Sequence, residues 1–350
     1  MKKKNLAIIG YGGMGGWHAI MARQSDVVNL RGVYDINPDQ YNVRPLSPGE
    51  IAYPSLEAVL NDPEVDLVTI AVPNDCHKDI TIKALEHGKA VICEKPVALN
   101  SEELDEMVAA SERTGSLFTV HQNRRWDTDI LAIKDLVKDG TIGNIISVES
   151  RVHGSRGIPG DWRQEKAHGG GMVLDWGVHL IDQALFTFPG NVTSIYARMD
   201  HIRNKEVDDG CHIVMTFESG VVYTVEVGTC NYITLPRFYV RGENGTAVIR
   251  EWNDPMEVTV MRLEEEHDAT PIRAQTGITK TMAPRTKETI ENLVIPMPES
   301  DVHDFYRNVC RAIDGLEPQL ITHPQLRRVM KIMETSFESA ERNEVIHGVF

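Results

Sequence analysis

Short apolar runs alternate with amphipathic stretches along the first 120 residues of the chain. The runs are rich in Val, Ile and Leu, as is typical of strands that are buried on both faces of a sheet. Strand and helix patterns that alternate at this spacing predict an N-terminal doubly wound parallel sheet of the Rossmann type. The predicted strands, in chain order, are LAIIG, VVNLRGVYD, EIAY, VDLVTIAVP, KAVICEKP and SLFTV.

Capping residues mark the predicted helices between these strands. Ser55 is the expected N-cap of a short helix in SLEAVLND, and Ser101 is the expected N-cap of a longer helix in SEELDEMVAASERTG. Gly88 is expected to end the helix in NDCHKDITIKALEHG, and Gly115 the helix that follows Ser101.

The pattern changes from about Trp126 onward. TDILAIKDLVKDG is typical of a helix, and NIISVESRVHG alternates like a half-buried strand. Hairpins are expected to turn at Ser219-Gly220 and around Asn244-Gly245. These elements predict a C-terminal α+β domain with a large, mostly antiparallel open sheet. We therefore divide the chain into a dinucleotide-binding domain, residues 1–124, and a second domain, residues 125–350; residues 261–288 show little pattern and are expected to be irregular.

Composition and charge restrict the classes of partner. The chain has 350 residues, of which 41% are hydrophobic and 25% charged, as in a soluble globular protein. Its 36 basic and 51 acidic residues give a net charge of −15, which argues against nucleic acid or an anionic membrane as the main partner.

The sequence also bears on the compartment. No apolar run approaches the ~20 residues that span a bilayer. The opening apolar run breaks into glycines after Ile9, which argues against a secretory signal. The five cysteines form no C-x-x-C pair, a pattern that fits reduced thiols better than disulfides or a zinc site. We expect a cytoplasmic protein.

A glycine-rich turn follows the first predicted strand and matches G-x-G-x-x-G. Gly10 would allow a tight turn, Gly12 a close approach to a pyrophosphate, and Gly15 close packing of helix on strand. The helix that follows would present free N–H groups to that pyrophosphate. The turn predicts a dinucleotide site, and its residues are Gly10, Tyr11, Gly12, Gly13, Met14 and Gly15.

Asp35 ends the second predicted strand, twenty positions after Gly15. A carboxylate at this place binds the ribose hydroxyls of the adenosine half and repels a 2′-phosphate, so the sequence favours NAD over NADP. The alternative is that Asp35 is a turn residue before Asn37-Pro38.

The remaining candidate chemistry lies at the ends of the predicted strands, where ligands bind in such sheets. The segments AVPNDCHKDITIKALEHGKAVICEKPVALN and GGGMVLDWGVHLID resemble the glucose–fructose oxidoreductase/inositol dehydrogenase/rhizopine-catabolism (Gfo/Idh/MocA) family. The C-terminal segment from DVHDFYRNVC to the end of METSFESA is similar to the closing helices of that family. The resemblance therefore extends over nearly the whole chain.

Lys95 lies at the end of the fifth predicted strand, between Glu94 and Pro96. Near an oxidised nicotinamide, a second positive charge would favour the neutral amine, which could hydrogen-bond the reacting hydroxyl and help to receive its proton. The resemblance implies this catalytic role. The alternative is a surface lysine paired with a carboxylate.

Asp175 and His179 are four residues apart, so a helix would place both on one face. An imidazole titrates near neutrality, as a base that accepts an alcohol proton should, and a carboxylate one turn away can orient its ring. A structural histidine is one alternative. Another is a metal site formed by His168, Asp175 and His179, although the resemblance implies no catalytic metal.

Further contacts are implied by the resemblance alone. Pro73, Asn74 and His77 are similar to the cofactor-side loop of the family, and Trp162 and Arg163 to a pair that reaches the cofactor or substrate pocket. For Arg124, Arg125 and Trp126 a structural role is at least as plausible as a contact. The remaining implied contacts are Glu94 and Gln122 to the cofactor, and His121 and Asn123 to the substrate.

Independently of the resemblance, the long, Gly-rich and charged loop SRGIPGDWRQEKAHGGG is expected to shape the substrate pocket. Its candidate specificity residues are Arg156, Asp161 and His168, and the alternative is that they are ordinary residues of the loop surface.

Together these features predict an NAD-dependent dehydrogenase acting on a secondary hydroxyl of a sugar, glycoside or cyclitol. The resemblance also implies a homo-oligomer, a dimer or tetramer, that forms through the C-terminal sheet. A non-catalytic NAD-binding sensor and a glycoside hydrolase that retains its NAD are alternatives, and NAD recycled between two sugars is a further one.

Overall fold

The apolar runs of the first 120 residues form one parallel sheet, which confirms the predicted fold of this part. The computed structural model describes residues 2–262 and 270–350. The strand order is β3-β2-β1-β4-β5-β6. The chain adds β2 and β3 on one side of β1 and β4 to β6 on the other, and this switch leaves a crevice at the carboxyl ends of β1 and β4. The strands are β1 (Lys4–Ile9), β2 (Val28–Tyr34), β3 (Ile51–Ala52), β4 (Leu67–Ile70), β5 (Ala90–Cys93) and β6 (Phe118–Val120).

The helices of this part cover the sheet, and their caps agree with the sequence in all but one case. Ser55 accepts a hydrogen bond from the backbone of Ala58, as an N-cap does. The prediction for Ser101 was wrong: the N-cap is Asn100, whose side chain accepts from the backbone of Glu103. Ser101 instead donates to Glu334. The helices are α1 (Gly13–Gln24), α2 (Gln40–Val43), α3 (Leu56–Leu60), α4 (His77–Glu86) and α5 (Ser101–Thr114).

The second part of the chain is built on a sheet of nine strands in the order β16-β13-β12-β11-β7-β10-β9-β8-β17. Both predicted hairpins are present, β9 with β10 and β11 with β12. The sheet is mixed, because β10 runs parallel to β7. Its strands are β7 (Ile145–His153), β8 (Val192–Asp200), β9 (Gly210–Phe217), β10 (Val222–Gly228), β11 (Phe238–Gly242), β12 (Gly245–Ile249), β13 (Met256–Met261), β16 (Ile290–Ile295) and β17 (Ile346–His347).

The segment expected to be irregular contains a short antiparallel hairpin, β14 (Ile272–Ala274) and β15 (Gly277–Thr279). Within that segment, residues 263–269 lie outside the described part of the chain. The helices of the second part are α6 (Thr128–Asp139), α7 (Val178–Thr187), α8 (His303–Ile313) and α9 (His323–Arg342).

Buried polar contacts hold the two parts of the chain together. Arg125, just after β6, donates to both carboxylate oxygens of Asp182 on α7, at 2.8 and 2.6 Å, and both side chains are almost fully buried. The segment between α8 and α9 also packs on β6. The Gln319 side chain donates to the backbone oxygen of Phe118, and the Thr119 hydroxyl donates to the backbone oxygen of Ile321. Residues assigned to the second domain thus pack on the first sheet, and the boundary between residues 124 and 125 stays a prediction.

In the described part of the chain, every helix is too short or too polar to cross a bilayer.

Candidate active site

The glycine turn after β1 is built so that the start of α1 lies against the strand. Gly10 has a φ of +90°, and a Cβ on Gly15 would lie 1.8 Å from the carbonyl oxygen of Gly10, so a side chain at Gly15 cannot be accommodated. By contrast, the space above Gly12 and Gly13 is open to at least 4 Å. The backbone at the N-terminus of α1 therefore faces free space, as a pyrophosphate site requires.

Asp35 lies at the end of β2, beside this turn. Its carboxylate accepts hydrogen bonds from the backbone of Tyr11 at 2.6 Å and of Asn37 at 2.8 Å. These two bonds fix the carboxylate at the edge of the cleft. The Tyr11 side chain is buried beneath the turn, so Tyr11 contributes to the site through its backbone.

A cleft of about 690 Å³ runs from Asp35 past the glycine turn to Lys95 at the end of β5. It has the elongated, half-open form expected of a dinucleotide site at the switch point of a parallel sheet. The loop between β7 and α7 forms its opposite wall. The predicted site residues that line the cleft are Gly10, Gly12, Gly13, Met14, Asp35, Pro73, Asn74, Glu94, Lys95, Trp162, Arg163, His168 and Asp175.

Lys95 and Asp175 form an ion pair at the end of the cleft away from Asp35. The Lys95 Nζ lies 3.0 Å from Asp175 Oδ1 and 2.9 Å from the backbone oxygen of Asp175, and both side chains are largely buried. The pair connects the end of β5 to the turn before α7. It fixes the amine in position at the end of the cleft away from Asp35.

The Asp175 carboxylate does not orient His179, contrary to the sequence-based expectation. Its second oxygen lies 3.4 Å from Nε of Arg163, so Lys95 and Arg163 hold both oxygens. Burial alone would raise the pKa of Asp175, but these two cations outweigh burial and lower it. The segment Val173–Gly177 is a π-helical turn, whose wider spacing offsets residues that an α-helix would stack.

His179 lies in the first turn of α7 with 4% of its surface exposed. Its Nδ1 is buried and has no hydrogen-bond partner in the described part of the chain. Burial, together with the charges of Lys95 and Arg124, holds the pKa of the ring well below its usual range. The ring is therefore neutral at neutral pH and retains a lone pair for a proton.

Side chains of alternating charge lead from Asp175 into the loop between β7 and α7. Asp161 pairs with Arg163 at 2.9 Å, and Arg163 in turn reaches Asp175. The Arg163 guanidinium also stacks on the Trp162 ring, 4.6 Å from its centre. These contacts bring Trp162 and Arg163 to the cleft, where the resemblance placed them.

Two contacts fix the same loop to the turn after β4. Asn74 donates to the backbone oxygen of Gly169 at 2.8 Å, and His168 Nδ1 lies 3.0 Å from the carboxylate of Asp75. The hydrogen bond to Asp75 raises the pKa of the His168 ring. Arg156 lies on this loop but is exposed and is not among the residues that line the cleft.

His77 and His121 turn away from the cleft. The two ring nitrogens of His77 lie 2.8 Å from the backbone oxygen of Pro96 and 3.0 Å from that of Val72, and the ring is fully buried. His77 therefore supports the loop from behind, and its ring has no free nitrogen for a cofactor.

His121 is also fully buried, and its Nδ1 bonds Glu94 Oε1 at 2.8 Å. Its ring packs against Trp17 and Phe305, so the expectation that it binds substrate directly is not met. Its neighbours Gln122 and Asn123 lie at the end of β6 and are not among the residues that line the cleft.

Sequence analysis missed a group of buried polar residues behind the cleft. His18 on α1 bonds Glu94 Oε1 at 2.8 Å through Nε2 and the hydroxyl of Tyr306 through Nδ1. In the described residues, His18, Glu94 and His121 are the one group of three whose ligand atoms lie close enough for a metal. One Glu94 oxygen accepts from both rings, so the geometry is that of a hydrogen-bond network. The two rings lie far from each other in sequence, so no local motif reveals it.

Sequence analysis also missed Asp208. Its carboxylate accepts from the backbone of Val173 at 2.8 Å and so caps the turn that carries Asp175. A Cβ on Gly171 would lie 2.3 Å from Asp208 Oδ1, which explains a glycine at that position. A Cβ on Gly170 would likewise lie 2.3 Å from the backbone oxygen of Arg163, and a Cβ on Gly169 would lie 2.4 Å from the side chain of Leu99.

An aromatic wall adjoins His179. The Arg124 guanidinium lies 4.3 Å from the ring centre of Trp176 and 5.1 Å from that of Trp252, and Arg124 also pairs with Asp127. The Trp176 ring in turn lies edge-on to His179 at 5.9 Å. Trp252 follows β12 and is far from Trp176 in the sequence, so no local motif predicts that the two rings meet.

Comparison with known proteins gives two family matches. The description "Oxidoreductase family, NAD-binding Rossmann fold" (GFO_IDH_MocA) fits residues 4–122, and "GFO/IDH/MocA C-terminal domain" fits residues 130–248. A crystal structure described as an NAD-binding protein from Listeria innocua has a TM-score of 0.95 and 45% identity, covering 99% of this chain and 100% of that one.

Two curated relatives are dehydrogenases. The scyllo-inositol 2-dehydrogenase (NADP(+)) of Bacillus subtilis is 26% identical over 299 residues, which are 83% of this chain and 81% of that protein. The D-apiose dehydrogenase of Paraburkholderia graminis is 31% identical over 238 residues, which are 66% of this chain and 61% of that protein.

The buried Asp208 predicts a pH-dependent stability. Burial raises its pKa to about 7 in the folded chain, against about 3.9 for an unfolded one. The contribution of protonated Asp208 to the free energy of unfolding is therefore complete below about pH 4 and is lost as the pH rises through about 7. The total loss is at most about 4 kcal/mol. We expect the Asp208→Asn variant to lose less stability than the wild type between pH 5.5 and 8.5, measured by urea unfolding.

The neighbouring Asp209 provides the control for this measurement. Burial would raise its pKa, but backbone donors at residues 202–204 outweigh burial and lower it. Asp209→Asn should therefore reduce stability across the whole pH range and leave the pH dependence unchanged. Equal pH dependence in the wild type and in Asp208→Asn would contradict the assignment.

Proposed function

The chain belongs to the GFO/IDH/MocA oxidoreductase family, and we propose that it is an NAD-dependent dehydrogenase acting on a secondary hydroxyl of a sugar, glycoside or cyclitol. One observation carries the proposal: Lys95, held by Asp175, lines a dinucleotide-sized cleft, and the buried His179 lies near enough for the charge of Lys95 to lower the pKa of its ring. His179 itself is not among the residues that line the cleft. The dehydrogenase relatives act on polyols or sugars by their names, which supports the substrate class.

The cleft suits a dinucleotide. The open backbone at Gly12 and Gly13 would bind the pyrophosphate, and the Asp35 carboxylate the adenosine ribose. A dinucleotide bound in this way would have its nicotinamide half beside Lys95. When bound, NAD would supply the hydride acceptor, and the remaining tasks fall to side chains of the chain itself.

Lys95 and His179 would divide the proton chemistry between them. The neutral His179 ring accepts the hydroxyl proton through a free ring nitrogen, although the burial and charges that lower its pKa also make it a weaker base than a free imidazole. Lys95 hydrogen-bonds the same oxygen and so orients the carbinol, while Asp175 and Arg163 keep the amine in place. Ketone reduction would use the same groups in reverse.

We also propose that the chain assembles as a dimer or tetramer through its nine-stranded sheet. The side chains of β7, β10 and β11 alternate between the core and an outer face that carries Glu149, Thr224 and Tyr239. Light scattering should give a mass that is two or four times 39.2 kDa. Tyr239→Asp, which places a charge on the outer face, should shift the mass toward 39.2 kDa, and a monomeric wild type would contradict the proposal.

The proposed chemistry predicts that Lys95→Ala and His179→Gln each lower kcat by about 10²–10⁴-fold, since each removes a group that handles the hydroxyl proton. The measurement is NADH formation across a panel of inositols, hexoses and glycosides. Lys138→Ala, which removes an exposed lysine on α6, should leave the rate unchanged.

The products distinguish the alternatives. Cleaved glycoside without net NADH would favour a hydrolase that retains NAD, and NAD binding without any turnover would favour a sensor. Full turnover in Lys95→Ala would overturn the assignment of Lys95.

For the cofactor, the position of Asp35 predicts that kcat/KM is higher with NAD than with NADP. Asp35→Asn removes a charged acceptor for the ribose hydroxyls, so affinity for NAD should fall about tenfold or more while affinity for NADP rises or stays the same. Isothermal titration with both nucleotides measures this. Asp39→Asn, an exposed carboxylate nearby, is the matched control, and a wild type that prefers NADP would contradict the prediction.

A further inference from the structure

The most heavily buried carboxylate beside the cleft is Glu94, whose side chain is about 5% exposed. One of its oxygens accepts from the rings of His18 and His121, each at 2.8 Å, and the other from the backbone of Lys95 at 3.1 Å. Tyr306 on α8 completes the network behind His18. Elements from both ends of the chain thus surround this single side chain.

The network keeps Glu94 ionised. Burial alone would raise the pKa of its carboxyl, but the hydrogen bonds and charges of His121 and His18 outweigh burial and hold it well below its usual range. Burial lowers the pKa of His18 itself, so that ring donates as a neutral group. The two rings therefore stabilise the ionised form of the buried Glu94 carboxylate.

The other charges around the cleft cancel in pairs. Lys95 pairs with Asp175, Arg163 with Asp161, and Arg124 with Asp127. In the described part of the chain, no lysine or arginine forms an ion pair with Glu94. Glu94 therefore carries a negative charge that no lysine or arginine neutralises, and its two histidine partners offset that charge only when they are protonated.

That charge lies where the proposed function places the nicotinamide half. Asp35 marks the adenosine end of the cleft, and Glu94 lines the opposite end together with Lys95. The nicotinamide ring is positively charged when oxidised and neutral when reduced. A fixed negative charge beside it therefore distinguishes the two states.

We propose that Glu94 makes the cleft bind the oxidised dinucleotide more tightly than the reduced one. The proposal rests on the proposed function for the position of the ring. At an effective dielectric constant of ~20, a charge several ångströms away is sufficient for a preference of about tenfold or more. A tenfold preference lowers the two-electron potential of the bound couple by about 30 mV. Within the ternary complex, this shift favours reduction of the ketone over oxidation of the alcohol.

The test measures binding without any substrate. Dissociation constants for NAD and NADH are determined by isothermal titration on the full-length wild type and on Glu94→Gln. We expect the wild type to bind NAD the more tightly, and the NADH-to-NAD ratio of dissociation constants to fall about tenfold in the variant. Glu112→Gln removes one exposed acidic charge from α5 and should leave the ratio unchanged.

Two further measurements separate charge from structural support. Glu94→Asp keeps the charge but shortens the side chain, so it should retain most of the wild-type ratio even if both affinities fall. If Glu94→Gln lost affinity for NAD and for NADH by the same factor, the inference would be overturned. A measurement on the wild type alone is also decisive: tighter binding of NADH than of NAD would overturn the inference.

Failure here is distinguishable from failure of the proposed function. A chain that binds both nucleotides with no preference, yet oxidises a polyol, retains the function and loses the inference. A chain that shows the preference but turns over no sugar or polyol retains the inference and loses the substrate assignment. A chain that binds neither nucleotide overturns both.

Discussion

The Lys95–Asp175 ion pair is the contact on which the rest of the site depends. It joins the end of a strand in the first sheet to the turn before a helix in the second part of the chain. An amine between these elements would otherwise be free to rotate, and a carboxylate buried beside it would be costly without a partner. The pair fixes the amine at the β5 end of the cleft, while the buried Nδ1 of the nearby His179 has no hydrogen-bond partner in the described residues.

The pair is held in place by contacts that lie outside the cleft. Asp208 caps the turn that carries Asp175, and the bidentate Arg125–Asp182 pair ties the end of β6 to α7. Because both contacts are buried, loss of either partner would leave an uncompensated polar group. The precision of the site therefore depends on buried polar groups in the second part of the chain as much as on the parallel sheet.

Much of the fold could be predicted because its signals are local. Strands β4, β5 and β6 are buried along their whole length, and Gly115 ends α5 in a left-handed conformation as expected. The error at Ser101 arose because Asn100 and Ser101 are both good N-caps, and only the contact of Ser101 with Glu334 on α9 decided between them. The parallel pairing of β10 with β7 joins strands about seventy residues apart, and turn patterns carry no information about it.

The glycine turn, the carboxylate at Asp35 and the presence of an amine and an imidazole at the ends of elements can be read from the sequence, because spacing along one strand or helix decides these features. The partner of each group follows instead from the three-dimensional packing. Asp175 holds Lys95 and not His179, and His121 turns into the core to meet Glu94 and His18. The reason is that residues from elements distant in the chain decide the hydrogen-bond partners and the burial of each group. Partners and burial in turn decide its charge.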